Sequence, residues 1–371
     1  MSYLLLVIAA AAFAYQCLAL AAALRRLWRR ERRWGWTPPV SILKPVHGLD
    51  PHFAECIRAH ALQDYPDFEI LFGVSDPADP AIAEIERLVA EFPDRAIRLM
   101  VSAPATPNGK VGVLVDLAAA ARHPVLVVND SDMLVPQDYL RRVVGPLEDP
   151  QVGVVTCLYR ARAEGWPGRF EAVGITTDFA SGVLVAPLVG VSEFGLGATL
   201  AFRAADLKRA GGFAALAGYL ADDYQLSRRI RDLGLKVVTS KLVVETCLGD
   251  LTWREVWQHQ LRWARTIRVS RGGGYKGLFV THATLWSLVL ALAGQWWAAG
   301  ALFAVRLAAG LAVTAALGDR RTLACFFLVP LRDLWGAALW ACGLFGSTVV
   351  WRGLRLRLDH EGRIVKSQPG S

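Results

Sequence analysis

Residues 3–24 carry no charged side chain, and about 20 apolar residues are what a helix needs to cross the roughly 30 Å hydrocarbon layer of a bilayer. Arg25, Arg26, Arg29, Arg30, Arg32 and Arg33 come immediately after it. A cleaved signal peptide carries its basic residues ahead of the apolar run, whereas Met1, Ser2 and Tyr3 bring none. The segment 1–24 therefore reads as an uncleaved anchor, and the positive charge behind it predicts that the chain beyond Arg25 lies in the cytosol.

The other end is apolar as well, which explains how hydrophobic residues reach 54% of the 371-residue chain. Three stretches near spanning length, at 277–294, 296–317 and 322–346, are expected to form membrane segments over 277–346. Arg306 lies inside the second, and Pro330, Arg332 and Asp333 interrupt the third. One stretch is therefore expected to be re-entrant or interfacial, with Arg332 and Asp333 neutralising each other or facing protein. Two crossings would return Arg352, Arg355 and Arg357, in the basic tail 347–371, to the cytosol; an odd number would leave them outside.

Between these ends, 25–252 has ordinary charge content and an α/β grammar. Strand patterns at 40–43, 69–74, 98–101, 124–129 and 153–157 alternate with helix patterns such as 51–63 and 81–92. A mostly parallel sheet with helices on both faces is expected, and such sheets bind ligands beyond the carboxyl ends of their strands. Asp76 and Asp130 each fall just after an apolar strand.

Asp130 and Asp132, in the sequence VLVVNDSDM, place two carboxylates two residues apart at a strand exit, so both could reach one Mg²⁺ or Mn²⁺ through oxygen ligands or water. Such an ion stabilises the charge that builds on a departing diphosphate. A bare pair of this kind equally fits a solvated turn. Asp76 sits in Ser75-Asp76-Pro77, an ordinary turn sequence, and Asp222-Asp223 fits an N-cap pair for a helix over 224–233. Lys110, in PNGKVG, could meet a phosphate or be a solvated surface group. Gly195 and Gly197 could admit a donor sugar or make a tight turn.

Residues 253–276 form a basic amphipathic segment. Trp253, Val256, Trp257, Leu261, Ala264 and Ile267 alternate with Arg262, Arg265, Arg268 and Arg271, a pattern suited to an anionic membrane surface. The six cysteines show no CxxC spacing and read as small buried hydrophobes rather than a disulfide or zinc framework. The net charge of +8 comes from arginines clustered beside apolar segments, and no nucleic-acid motif accompanies it, so a membrane is the expected partner.

The blocks VSILKPVHGLDP, GVSDPADPAI, NDSDM, AGGFAALAGYLADDYQLSRRIRDLG, HQLRWAR and STVVWRGLRLRL together resemble the ceramide glucosyltransferase family and its bacterial hopanoid-biosynthesis branch. The resemblance covers nearly the whole chain. It implies a GT-A type nucleotide-sugar domain in which Asp76 contacts the base region of the nucleotide. Asp130 and Asp132 would serve the metal and diphosphate, and Asp223 would be the general base. Arg262 offers a donor fork for diphosphate, and Trp263 would stack beside the acceptor channel. His259 departs from the Gln or Arg usual in that motif, which weakens a role for it.

Such a family moves one sugar from a UDP-sugar to a lipid hydroxyl with inversion. On this resemblance the expected reaction is N-acetylglucosamine transfer to bacteriohopanetetrol, at a bacterial inner membrane. Ceramide with UDP-glucose is the alternative. A processive polysaccharide synthase and a non-catalytic nucleotide-sugar-binding membrane protein are the other classes carried forward.

Overall fold

The computed structural model describes residues 3–102, 106–192 and 194–369. Met1 and Ser2 of the predicted anchor and Gly370 and Ser371 of the predicted tail lie outside them. The chain divides into two compact units, one of Glu31–Tyr159 and Ser192–Gly249, the other of Met1–Arg30, Arg160–Val191 and Asp250–Ser371.

The first unit is built on β1 (Val40–Val46), β2 (Phe68–Val74), β3 (Ala96–Val101), β4 (Val125–Val128), β5 (Met133–Leu134), β6 (Val152–Ala163), β7 (Leu200–Arg203) and β8 (Lys236–Leu248). Their order in the eight-stranded sheet is β3-β2-β1-β4-β7-β6-β8-β5. β1 runs parallel to β2 and β4, and β2 to β3. The helices Phe53–Ala61, Ala81–Glu91 and Gly109–Ala120 supply the crossovers that parallel pairing demands. Every residue of β1, β2 and β4 is buried, which is why these strands are apolar throughout but for Ser41, Lys44 and Glu69.

β7 is antiparallel to β4 and β6, and β5 to β8. The expectation of a mostly parallel sheet thus holds for the first four strands, and the rest of the sheet is mixed. Leu43, Leu71, Leu114, Leu117, Leu126, Phe202, Phe213 and Leu226 share one buried core, each such side chain contributing about 1.5–3 kcal/mol by leaving water.

In the second unit, three helices among the described residues are long and apolar enough to cross a membrane. They are Tyr3–Trp28, Gly165–Val189 and Trp296–Leu317, with mean hydropathies of 2.3, 1.6 and 1.8. Small residues suit their close approach: Ala12 shares a buried cluster with Ala299 and Leu302, and Ala19 shares another with Ala309 and Val185. The helix Gly165–Val189 was not anticipated from sequence, because Glu171 and Asp178 interrupt its apolar run. Its middle, Ile175–Phe179, is a π-turn.

Two C-terminal stretches are not single straight helices; the break in the third falls in the stretch expected to be interrupted, and the bend in the first was not expected. The first is a bent pair, Gly272–Thr281 and Ala283–Leu292, which turn by 52° about His282. The third breaks into Arg320–Ala324, a 3-10 turn at Phe326–Leu328, and Val329–Gly343, whose 15 residues reach only roughly 22 Å. Arg332 and Asp333 do not neutralise each other, which was one of the two arrangements expected of them. Asp333 instead takes a two-pronged bond from Arg306, at 2.6 Å from Nη2 and 2.9 Å from Nε, and a third from Thr284 Oγ1 at 2.6 Å. Adjacent helical residues point about 100° apart, so Arg332 faces Phe170 while Asp333 faces Arg306.

The basic segment forms the helix Trp253–Ser270, started by a reciprocal capping box between Thr252 and Glu255. The predicted tail is a folded antiparallel sheet of β9 (Thr348–Trp351), β10 (Leu354–Leu358) and β11 (Ile364–Pro369), turned at Arg352 and Gly353 with positive φ at both. Arg265 donates to the carbonyls of Phe345 and Thr348, and Arg268 to those of Leu344 and Gly346. Two of the arginines expected to face lipid headgroups therefore hold the entry to this sheet.

Candidate active site

Strand order reverses between β1 and β4, and there the α/β unit gathers its charged side chains. Lys44, on β1, is fully buried, and its ammonium donates to Asn129 Oδ1 at 2.9 Å and to the Asp130 carbonyl at 3.1 Å. Burial pulls the Lys44 pKa down to about 8. Asn129 is fixed in turn by His60, whose Nδ1 lies 2.8 Å from the Cys56 carbonyl and must therefore carry the proton. That leaves His60 Nε2 to accept from Asn129 Nδ2 at 2.6 Å, and burial keeps the imidazole neutral. The loop after β4 is thus anchored from below, and Asp130 is the next residue.

Lys110 lies in the first turn of the helix Gly109–Ala120. Asn108 caps that helix through Val111 N and ties it to the Tyr219 carbonyl at 2.7 Å. The Lys110 ammonium reaches Asp130 Oδ1 at 2.8 Å and Asp222 Oδ2 at 3.5 Å. Asp222 and Asp223 are not N-caps: Ala221 holds that position, and the two acids occupy the first turn of the helix Asp222–Asp232. Asp223 accepts from Gly197 N at 2.8 Å and from Tyr224 N at 2.7 Å. A side chain at Gly197 would begin 3.3 Å from Asp130 Oδ2 and 3.4 Å from Asp223 Oδ2, so both carboxylates converge over this glycine. Gly195 serves packing instead, since a Cβ there would meet Ser227 and Leu200.

Asp132 turns towards β8, where its Oδ2 accepts from Thr246 Oγ1 at 2.5 Å and its carbonyl from Cys247 N at 3.0 Å. Burial, then the charge of Asp130, raises its pKa to about 7. Burial, then Asp222, raises Asp223 to about 6. Asp76 stands at the exit of β2, exposed, with its Oδ1 accepting from Ala78 N at 2.8 Å in the turn that its local sequence suggests. The cysteines are free thiols; Cys56 and Cys247 bring their sulfurs to 3.7 Å.

Of the predicted site residues, Lys110, Asp130 and Asp223 are brought together, and Asp132 lies beside Asp130 on the β8 side. Arg262 and Trp263 belong to the other unit. There Trp263 packs edge-on against His259, with ring centroids 4.6 Å apart, and tilts against Phe179 at 5.5 Å. Arg262 lines a cleft of about 110 Å³ with Gln258, Leu261, Arg265, Thr348 and Arg355. Sequence reasoning missed Glu171, which is fully buried and accepts from His259 Nδ1 at 2.9 Å and from Gln260 Nε2. A lone carboxylate inside an apolar run was the available signal.

The donor chemistry suits a divalent cation. Asp130 and Asp132 offer hard oxygen ligands, and their raised or lysine-compensated carboxylates show negative charge in excess of the cations around it. No group of three acidic, histidine or cysteine side chains among the described residues could hold an ion alone. Mg²⁺ and Mn²⁺ commonly complete such a shell with substrate phosphates and water.

The fold is a GT-A-like glycosyltransferase fold. A mannosyltransferase from Pyrobaculum calidifontis, solved with GDP-Man and Mn²⁺, superposes with a TM-score of 0.56 at 20% identity, covering 92% of this chain and 95% of that one. Glycosyl transferase family 21 matches residues 4–364, and the chain belongs to that family. It is 26% identical to ceramide glucosyltransferase 1 of Caenorhabditis elegans over 55% of this chain and 44% of that protein. It is 32% identical to the ceramide glucosyltransferase of Komagataella phaffii over 29% and 22%. The chain thus spans less than half the length of these curated relatives.

Proposed function

We propose that the protein is a membrane-bound inverting glycosyltransferase that moves one sugar from a UDP-sugar to a lipid hydroxyl. The observation that carries this reading is the convergence of Asp130 and Asp223 over Gly197, with Lys110 bonded to Asp130 at the β1/β4 switch point. Asp223, its pKa raised to about 6, accepts the proton of the lipid hydroxyl as its oxygen attacks the anomeric carbon. The bond to the UDP oxygen breaks in the same step and inverts that carbon. Lys110 offsets charge on the diphosphate. Asp130 and Asp132 would hold Mg²⁺ or Mn²⁺, which supplies further charge stabilisation to the leaving group. Asp76 at the β2 exit contacts the base region, and Arg262 and Trp263 serve diphosphate and acceptor.

The leading acceptor is bacteriohopanetetrol with UDP-N-acetylglucosamine, supported by the DSD, ADDY and HQLRW spellings. Ceramide with UDP-glucose is the second reading, favoured by the names of the curated relatives. The helices of spanning length support residence in a bacterial inner membrane with the α/β unit in the cytosol. The test crosses both UDP-sugars with both lipids and Mn²⁺, using purified full-length protein and mass spectrometry of the lipids. A single added N-acetylhexosamine on the hopanoid supports the leading reading, and one hexose on ceramide the second. A retained anomeric configuration, or a product bearing many sugars, would overturn the mechanism.

A further inference from the structure

In the unit of apolar helices, polar side chains from five segments gather at one place. Tyr15 comes from the helix Tyr3–Trp28, Asp178 from the π-turn, His282 from the 52° bend, Arg306 from Trp296–Leu317, and Arg332 and Asp333 from Val329–Gly343. Asp178, Asp333, Arg332 and Arg306 all act electrostatically on His282, and Asp178, Arg306 and Asp333 on Tyr15.

Asp333 is satisfied by Arg306 Nε and Nη2 and by Thr284, while Arg306 Nη1 has no hydrogen-bond partner in the protein. The remaining groups do not close in the same way. His282 is only 7% exposed and its Nε2 has no hydrogen-bond partner in the protein. Arg332 is 6% exposed and its Nε and Nη1 likewise lack one. Polar atoms left unpaired among lipid-facing helices are costly, so a partner from outside the chain is the simplest resolution.

Gly336 leaves room for one small group of that partner, about the size of the side chain it lacks. A side chain there would begin 3.6 Å from Asp178 Oδ2 and 3.6 Å from both Nδ1 and Cε1 of His282. An acceptor and an imidazole therefore face one point on the helix Val329–Gly343 at which the sequence places no side chain. The two arginines balance the two aspartates in formal charge, which selects a neutral guest over an ion. The guest must both donate, to Asp178, and accept, from His282 or Arg332. A hydroxyl or a secondary amide does both.

We propose that the Asp178–His282–Gly336 site binds the neutral hydroxyl- or amide-bearing head of a membrane lipid. This rests on the reading of the protein as a lipid-directed transferase, and it assigns these residues to acceptor recognition. They are positioning residues: none is assigned a proton transfer or a bond to the sugar.

The test measures binding of a fluorescent short-chain ceramide to the full-length protein in detergent, displaced by unlabelled ceramide, alongside binding of UDP-sugar. Gly336→Val fills the space and is expected to weaken ceramide binding about tenfold while UDP-sugar affinity stays within about twofold. Gly336→Ala, which fits at ordinary contact distance, should show a smaller loss. His282→Leu should lose ceramide affinity, and His282→Gln, which keeps a hydrogen-bonding group, should retain most of it. Ceramide binding within about twofold of the parent in both Gly336→Val and His282→Leu overturns the proposal, as does a parallel loss of UDP-sugar binding. Site-dependent ceramide binding without any sugar transfer would instead overturn the transferase reading and leave this site standing.

Discussion

The two buried charge clusters of this protein are built on opposite principles. The α/β unit brings carboxylates together with too little cation: Lys110 reaches Asp130 and Asp222, while Asp132 and Asp223 are left with raised pKa values. The helical unit matches its charges in number and bonds Arg306 to Asp333 at two points, their side chains only 3% and 4% exposed. Like charges forced together store an affinity for cations and protons, whereas matched charges store little and add mostly geometric definition. A cluster of excess charge is thus suited to a charged guest or a moving proton, and a balanced one to holding shape.

The contrast is tested hardest by Asp223→Asn, which keeps the shape and removes the base. Turnover is expected to fall by roughly 10²–10⁴-fold with UDP-sugar binding retained, as read by paired kinetics and titration. Next come Arg306→Ala and Asp333→Ala, each leaving a buried charge without its partner. Each should cost about 3–5 kcal/mol in detergent unfolding, whereas the double replacement Arg306→Met with Asp333→Leu should cost much less. If the singles and the double cost the same, the pair is not the closed unit described.

Lys110→Met removes the ammonium that bonds Asp130. Donor affinity should fall roughly tenfold, the size of one charge-assisted hydrogen bond, with little change in lipid affinity. The smallest effect concerns pH. Asp132 and Asp223 have folded pKa values raised above those of the unfolded chain, so their contribution to stability is full below about pH 4 and is lost as pH rises through about 6 to 7. Mn²⁺ binds the deprotonated carboxylates and should raise the melting temperature by a few degrees, about 3 °C, at pH 7.5 and by less at pH 5. Chelation should reverse the shift. A Mn²⁺ shift independent of pH would mean that these acids do not hold the ion.

The parallel half of the sheet was legible because β1, β2 and β4 are buried on both faces and so are apolar at nearly every position, with Asp130 at the exit of β4. β7 was not, because its four residues, LAFR, give too little pattern to separate a strand from a turn. β8 alternates buried with half-exposed positions over 13 residues and includes two lysines, which blurs its signal. The acids at 130 and 223 could be named from sequence, but their convergence could not. It depends on Gly197, which lies 26 positions before Asp223 and supplies the amide that fixes it. Glu171 and Asp178 escaped for another reason. Charges within an apolar run look like the end of a membrane segment until partners such as His259 are seen beside them.

The π-turn at Ile175–Phe179 gives the helix Gly165–Val189 one place where its length can change without a change of face. A wider ring fits an extra residue into nearly the same rise, so removing one residue there would restore a regular ladder and keep the helix as apolar as before. The flanks on either side would keep nearly their present faces, because the wide turn already takes up the roughly 100° that one more residue would otherwise add. Glu171 precedes that turn and Asp178 sits near its far end. A single-codon deletion at Thr176 or Thr177 should therefore leave Glu171 facing its partners, whereas the same deletion in a regular stretch of the helix would turn one flank roughly 100° against the other.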